Sequence, residues 1–320
     1  MSPPPPAAAL ADEPAYAPAP PLAVPAAMKD GTLLGILFIL ASTLFFASGD
    51  IAAKALTASV HPVQVAWFRY LMFLVVLIPA VLLWRGPAAI RTRRPLLQIA
   101  RGLCVSVAAT LFILGLRYLP VADNTAINYL SPLFITALSI PLLGEKVGPR
   151  RWAAAFVGFL GVLLVVRPGS DAFQVGALFP MGAALVWGFG AIFTRMLADE
   201  RPETTLVWTG LTGFVSMGLL VPLVWEPMDS HQVLLGMGNG LGSVVGHVFV
   251  VLAFQRASAS LLAPFSYAQL LTATGLAYLA FGDVPGVWTA AGSLLIIGSG
   301  IYTAHRERIR RAEAALKPVR

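Results

Sequence analysis

Charge is what this 320-residue chain has least of: Asp, Glu, Lys and Arg together make up 12% of it. A soluble domain carries roughly 25% charged residues, so half of the usual solvent-facing charge is missing. Cysteine is nearly absent, and the single Cys104 lies in an apolar run, which excludes a secreted disulfide scaffold. The four histidines (His61, His231, His247 and His305) are scattered without metal-ligand spacing, and no His-Glu-x-x-His occurs. No nucleotide-binding motif is present either, so no metal, cofactor or ATP-driven chemistry is expected. What fills the chain instead is apolar: 58% of the residues, with a mean hydropathy of +0.79. Length alone suggests two soluble domains of roughly 150 residues each. Composition overrides this and points to an all-α polytopic membrane protein with the lipid bilayer as its first partner.

Residues 1–31 are expected to be a disordered, Pro/Ala-rich cytoplasmic tail. Residues 1–27 hold nine prolines and ten alanines, with Asp12 and Glu13 as the only charges. Proline at that density removes helix donors, and a signal peptide would need a basic start and an unbroken apolar core. Ten apolar segments follow, at about 32–54, 63–83, 96–117, 121–143, 151–167, 174–197, 204–224, 232–256, 259–282 and 286–304. Each is about as long as a helix that crosses ~30 Å of hydrocarbon. Strands are excluded, because an open edge in lipid leaves backbone groups unpaired.

The +7 net charge does not form a nucleic-acid footprint. With the amino terminus in the cytoplasm, 18 basic residues fall on the inner side and only Lys54, Arg117 and Arg167 on the outer side. Both termini are therefore expected inside, with 306–320 as a basic cytoplasmic tail.

The two halves of the chain match each other. A shift of 141 residues pairs Gly35 with Gly176, Phe38 with Phe179, Lys54 with Arg195 and Trp67 with Trp208. A shift of 138 pairs Tyr129 with Tyr267 and Gly144-Glu145 with Gly282-Asp283. Five helices per half make the second copy enter the membrane from the opposite side. Two inverted five-helix repeats, 32–168 and 169–305, are the expected architecture, and secondary transporters place their cargo between such repeats near the midplane.

Specific residues carry a resemblance to a known family. They are Phe45-Phe46-Ala47-Ser48-Gly49-Asp50 running to Lys54, then Pro62 and Arg69. The stretch Gly115-Leu116-Arg117-Tyr118-Leu119-Pro120-Val121-Ala122 continues through Ser131-Pro132-Leu133 to Leu143-Gly144-Glu145. Trp152, Gly158, Gly161 and Val166-Arg167-Pro168-Gly169 close the first half, and Trp187-Gly188, Pro264 and Tyr267 fit in the second. Over about residues 32–305 the chain resembles the EamA-type, ten-helix branch of the drug/metabolite transporter superfamily. Phe46 departs from it, where the family usually has tryptophan. The resemblance implies an inner-membrane carrier of small organic metabolites that works by alternating access. Members serve amino acids, riboflavin, S-adenosylmethionine, sugars and amines. Export of amino acids or related metabolites is the expectation, and import of riboflavin or S-adenosylmethionine the alternative. A monomer or weak homo-oligomer is expected.

Polar residues inside the bilayer are the site candidates, because each must be paired or face water. Asp50 and Arg69 are the deepest ions; they could pair or bind an ionic cargo, and Asp50 could carry a proton. Alternatively Asp50 pairs with Lys54, four residues on along the same face. His247 could bond a ligand or merely a neighbouring carbonyl. Asn124, Asn128 and Tyr129 of the fourth segment, with Ser266, Tyr267 and Gln269 of the ninth, form the richest constellation. Amides and phenols with an apolar rim suit a medium-sized zwitterion or heteroaromatic, although Asn and Ser also tie membrane helices together. Trp187 is a candidate apolar wall. The glycines 236, 238, 240, 242 and 246 lack the spacing and setting of a dinucleotide loop and read as helix packing. Ser243 and His247 share a face, but no acid lies at matching spacing, which leaves an intramembrane enzyme or a scaffold as remote alternatives.

Overall fold

A computed structural model describes residues 29–145, 147–168, 175–257 and 259–315. The expected tail falls outside it up to residue 28, as do the last five residues. Among the described residues the chain is all helical. The helices are α1 Lys29–Leu56, α2 Pro62–Met72, α3 Ile78–Arg85, α4 Pro95–Tyr118, α5 Val121–Asn128, α6 Ser131–Leu143 and α7 Pro149–Val166. They continue with α8 Leu178–Met196, α9 Pro202–Leu220, α10 Ser230–Arg256, α11 Ala259–Ser266, α12 Ala268–Phe281 and α13 Val287–Ala315. A π-helical turn, Phe73–Leu77, fuses α2 to α3 into one rod.

Proline opens α2, α4, α7 and α9 in the first turn, where its missing N–H is no loss. Asp229 starts α10 with a capping box to Gln232. Gly144 and Gly282 close α6 and α12 at φ 66° and 72°, a left-handed cap that a side chain would strain. These two glycines are the pair related by the 138-residue shift.

Among the described residues, eight helical stretches are long and apolar enough to cross a membrane, and Trp152–Val166 is a shorter apolar helix. The ninth of the ten expected segments is broken into α11 and α12, as the fourth is into α5 and α6, and it is not among the eight. The first helix begins at Lys29 rather than after the expected tail. The last runs to Ala315 through most of the expected basic tail, a stretch with no Gly or Pro to stop it.

Inside the body, α1 lies along α10, α8 along α4 and α7 along α13. These contacts are close because they are made through small residues. A Cβ on Gly242 would stand 2.8 Å from the Phe45 carbonyl, and one on Gly161 2.7 Å from the Gly292 carbonyl. Gly236, Gly240 and Gly246 likewise abut Phe68, Met72 and Phe46, so most of the glycine run packs helices. Outside, large apolar side chains face outward in numbers, Leu83 at 89% and Leu279 at 78% exposed. A surface so apolar suits lipid rather than water.

The two ends of the body are tied differently. At the end where α3 and α8 finish, Arg85 pairs with Glu203 at 3.1 Å, Arg94 with Asp199 at 3.3 Å and Arg195 with Glu145 at 3.0 Å. There the Glu200 carboxylate also accepts from the Thr92 hydroxyl and the Arg93 backbone N–H. At the opposite end Gln64 and Glu226 exchange two hydrogen bonds of 2.9 Å, amide side chain to backbone in both directions. Gln232 donates to Ser59, and the Thr289 hydroxyl to Asp123.

Candidate functional site

Two membrane helices break at mid-depth, and both breaks border one cavity. The first falls between α5 and α6. Pro132 cannot donate to the carbonyl four residues back, and its ring crowds that turn, which favours a break there. Tyr129 sits at this break and Tyr267 at the one between α11 and α12. Their rings stack at 5.0 Å with an interplanar angle of 26°, and the Tyr129 hydroxyl donates to the Ser266 carbonyl at 3.0 Å. Irregular backbone at membrane depth is tolerated where protein or a cavity covers it, and here the cavity lies beside it.

That cavity has a volume of about 350 Å³. Of the sequence-selected residues, Asp50, Arg69, Asn128, Tyr129, Trp187, His247, Ser266 and Gln269 line it. Asp50 of α1 and Gln269 of α12 share its wall. Ser266 spends its hydroxyl on the Ala263 carbonyl at 2.7 Å. His247 Nδ1 bonds the Ser243 carbonyl at 2.8 Å, and its ring meets the edges of Phe46 and Phe73. A carbonyl only accepts, so Nδ1 carries the proton and Nε2 is left as an acceptor. The neighbouring-carbonyl bond and a place on the cavity wall therefore both apply to this histidine.

Three selected residues stand elsewhere. Lys54 does not pair with Asp50: its Nζ donates to the Leu116 and Leu119 carbonyls at 2.6 and 2.9 Å, capping the far end of α4. Carbonyls left open at a helix C-terminus attract a cation, and they outcompete the carboxylate one turn away. Asn124 is fully buried against α4, donates to the Phe112 carbonyl at 3.1 Å and rests its oxygen on Gly115. Tyr267 lies behind Tyr129, its ring filling the space over Gly300 where no Cβ would fit.

The aromatic wall was not singled out from the sequence. Phe46, Tyr70, Phe73 and Phe112 line the cavity, together with the hydroxyl residues Thr125, Ser131 and Thr209. A signal existed in the helical period: Phe46 precedes Asp50 by four residues, and Phe73 follows Arg69 by four.

A lipid-facing helical shell around a polar, aromatic-walled cavity bordered by two broken helices defines a multi-pass membrane protein of the transporter class. The chain belongs to the EamA-like transporter family, whose profile matches residues 33–167 and again 174–303. It is therefore a transporter of the drug/metabolite superfamily and not an enzyme. It is 27% identical to an S-adenosylmethionine uptake transporter of Rickettsia prowazekii over 86% of this chain and 94% of that one. A riboflavin transporter of Rhizobium johnstonii is 31% identical over 72% of this chain and 77% of its own length. A pseudopaline exporter of Pseudomonas aeruginosa is 25% identical over 84% and 94%. A protein of known crystal structure shares the fold at a TM-score of 0.61 and 22% identity, covering 88% of this chain and 98% of that one.

Proposed function

We propose that this protein is a gradient-driven carrier that takes up a medium-sized, ring-bearing metabolite across the inner (plasma) membrane by alternating access. The observation that carries the reading is the cavity. Its 350 Å³ falls in the range of about 300–1,000 Å³ of sites that enclose drug-sized molecules, more than a bare small amino acid fills. Aromatic faces at Phe46, Phe112 and Trp187 suit a ring, and the Asn128 and Gln269 amides suit its polar edge. The S-adenosylmethionine and riboflavin transporters among its relatives carry names of such cargo. Export of amino acids or related metabolites is the second reading, and the pseudopaline exporter supports that direction.

Alternating access rests on two inverted repeats, 32–168 and 169–305. Several observations support them: the double family match, the helix breaks and left-handed glycines at a constant 138-residue shift, and the α1–α10 packing answered by α8–α4. A further correspondence lies in the core. Gln98 of α4 donates to Thr205 of α9, and Asn239, its mate at the 141-residue shift, donates to the Val65 carbonyl of α2. The distribution of Lys and Arg supports both termini in the cytoplasm.

Counterflow in proteoliposomes tests the reading, with labelled S-adenosylmethionine, riboflavin, tryptophan and serine, each with and without an imposed proton gradient. A ring-bearing compound is expected to exchange and serine not to. Exchange of serine alone would replace this reading by the amino-acid one.

A further inference from the structure

The cavity holds two side chains of opposite charge, Asp50 and Arg69, which act on each other across it without closing into an ion pair. Asp50 of α1 is only 6% exposed, and what it exposes lines the cavity. Arg69 of α2 faces the same space, and among the described residues it has neither a hydrogen bond nor an ion pair. Arg101, two turns into α4, shows what a structural arginine looks like in this protein. Its Nε donates to Thr194, and Nη1 donates to the Thr205 carbonyl and the Thr209 hydroxyl. A guanidinium at membrane depth costs several kcal/mol unless it is paired or faces water. Five fixed N–H donors turned into a cavity match the two oxygens of a carboxylate.

We infer that Arg69 and Asp50 are the two poles of cargo recognition, so that the cargo is a zwitterion with an amino-acid head. Arg69 takes the carboxylate. Asp50 takes the ammonium, and the ring of the cargo lies against Trp187 and Phe112. This rests on the carrier reading above and narrows it, because a neutral ring compound offers nothing to either pole. Deleting either charge of the cargo leaves a buried partner alone, and such losses weaken binding at least about tenfold.

The test uses the full-length protein in proteoliposomes and compares matched probes as competitors and counterflow substrates. S-adenosylmethionine, S-adenosylhomocysteine and tryptophan carry the zwitterionic head. Methylthioadenosine, tryptamine, indole-3-propionate and riboflavin keep a ring and lack one or both charges. At least one zwitterion is expected to exchange, with its truncated partners tenfold or more weaker. Arg69→Gln is expected to abolish the preference for the carboxylate and Arg69→Lys to restore part of it, while Asp50→Asn removes the preference for the ammonium. Equal handling of truncated and complete probes by the unaltered protein would overturn the inference and leave the carrier reading standing; this comparison needs no variant to fold. Normal insertion of Arg69→Gln with its selectivity unchanged would overturn the inference as well. If no probe binds or exchanges, the ring-bearing cargo is wrong and the inference falls with it.

Discussion

The two ends of this molecule solve one problem with different chemistry. Each must hold the loops of one half of the chain against the other half. Where α3 and α8 finish, the holding is done by ions, the exposed pair of Arg94 with Asp199 and the half-exposed pair of Arg85 with Glu203. At the opposite end an amide does it, Gln64 locked in both directions onto the backbone of Glu226. Exposed ion pairs are worth about 0–1 kcal/mol each and fade as salt rises. An amide fully shielded from solvent is insensitive to salt, and removing it orphans its partners. The ionic end is therefore adjustable by the medium, and the amide end is not.

Gln64→Leu is the strongest way to break this contrast. It deletes both bonds of a side chain that is 0% exposed, so detergent-solubilised protein is expected to lose about 2–3 kcal/mol of stability, equally at low and high salt. Thermal unfolding at two salt concentrations reads both quantities, and a loss that disappeared at high salt would contradict the contrast. Lys54→Met comes next. It removes two bonds from a charged donor to the end of α4 and is expected to cost about 1–2 kcal/mol. Asp199→Asn is the smallest: about 0.5 kcal/mol or less at low salt, and nothing measurable at high salt. A cost above about 2 kcal/mol there would mean that the pair with Arg94 is not the exposed, screened contact described.

Much of the fold was legible because lipid leaves few choices. Proline at the helix starts and glycine at the ends of α6 and α12 mark boundaries in the sequence itself, and scarcity made Asp50 and Arg69 conspicuous. The 138-residue correspondence led to Tyr129 and Tyr267, which the structure stacks face to face. Three things were hidden, each for a physical reason. The partner of Lys54 lies 62 residues away at Leu116, beyond any rule about helix neighbours. Equal depth in the two halves did not imply equal exposure to the cavity, since Tyr129 covers Tyr267. Phenylalanine is abundant in every membrane helix, so the place of Phe46 and Phe73 on the cavity wall became plain only after Asp50 and Arg69, four residues away on the same faces, had been placed.

The tyrosine stack has a geometric consequence. Two bodies related by a half-turn bring equivalent points together only near the axis of that turn; everything farther out is carried away from its mate. Under the two-repeat reading, contact between residues 129 and 267 places the axis between their rings. A point on such an axis belongs equally to both halves, so the stacked tyrosines mark the seam where each half meets its own counterpart rather than a foreign surface.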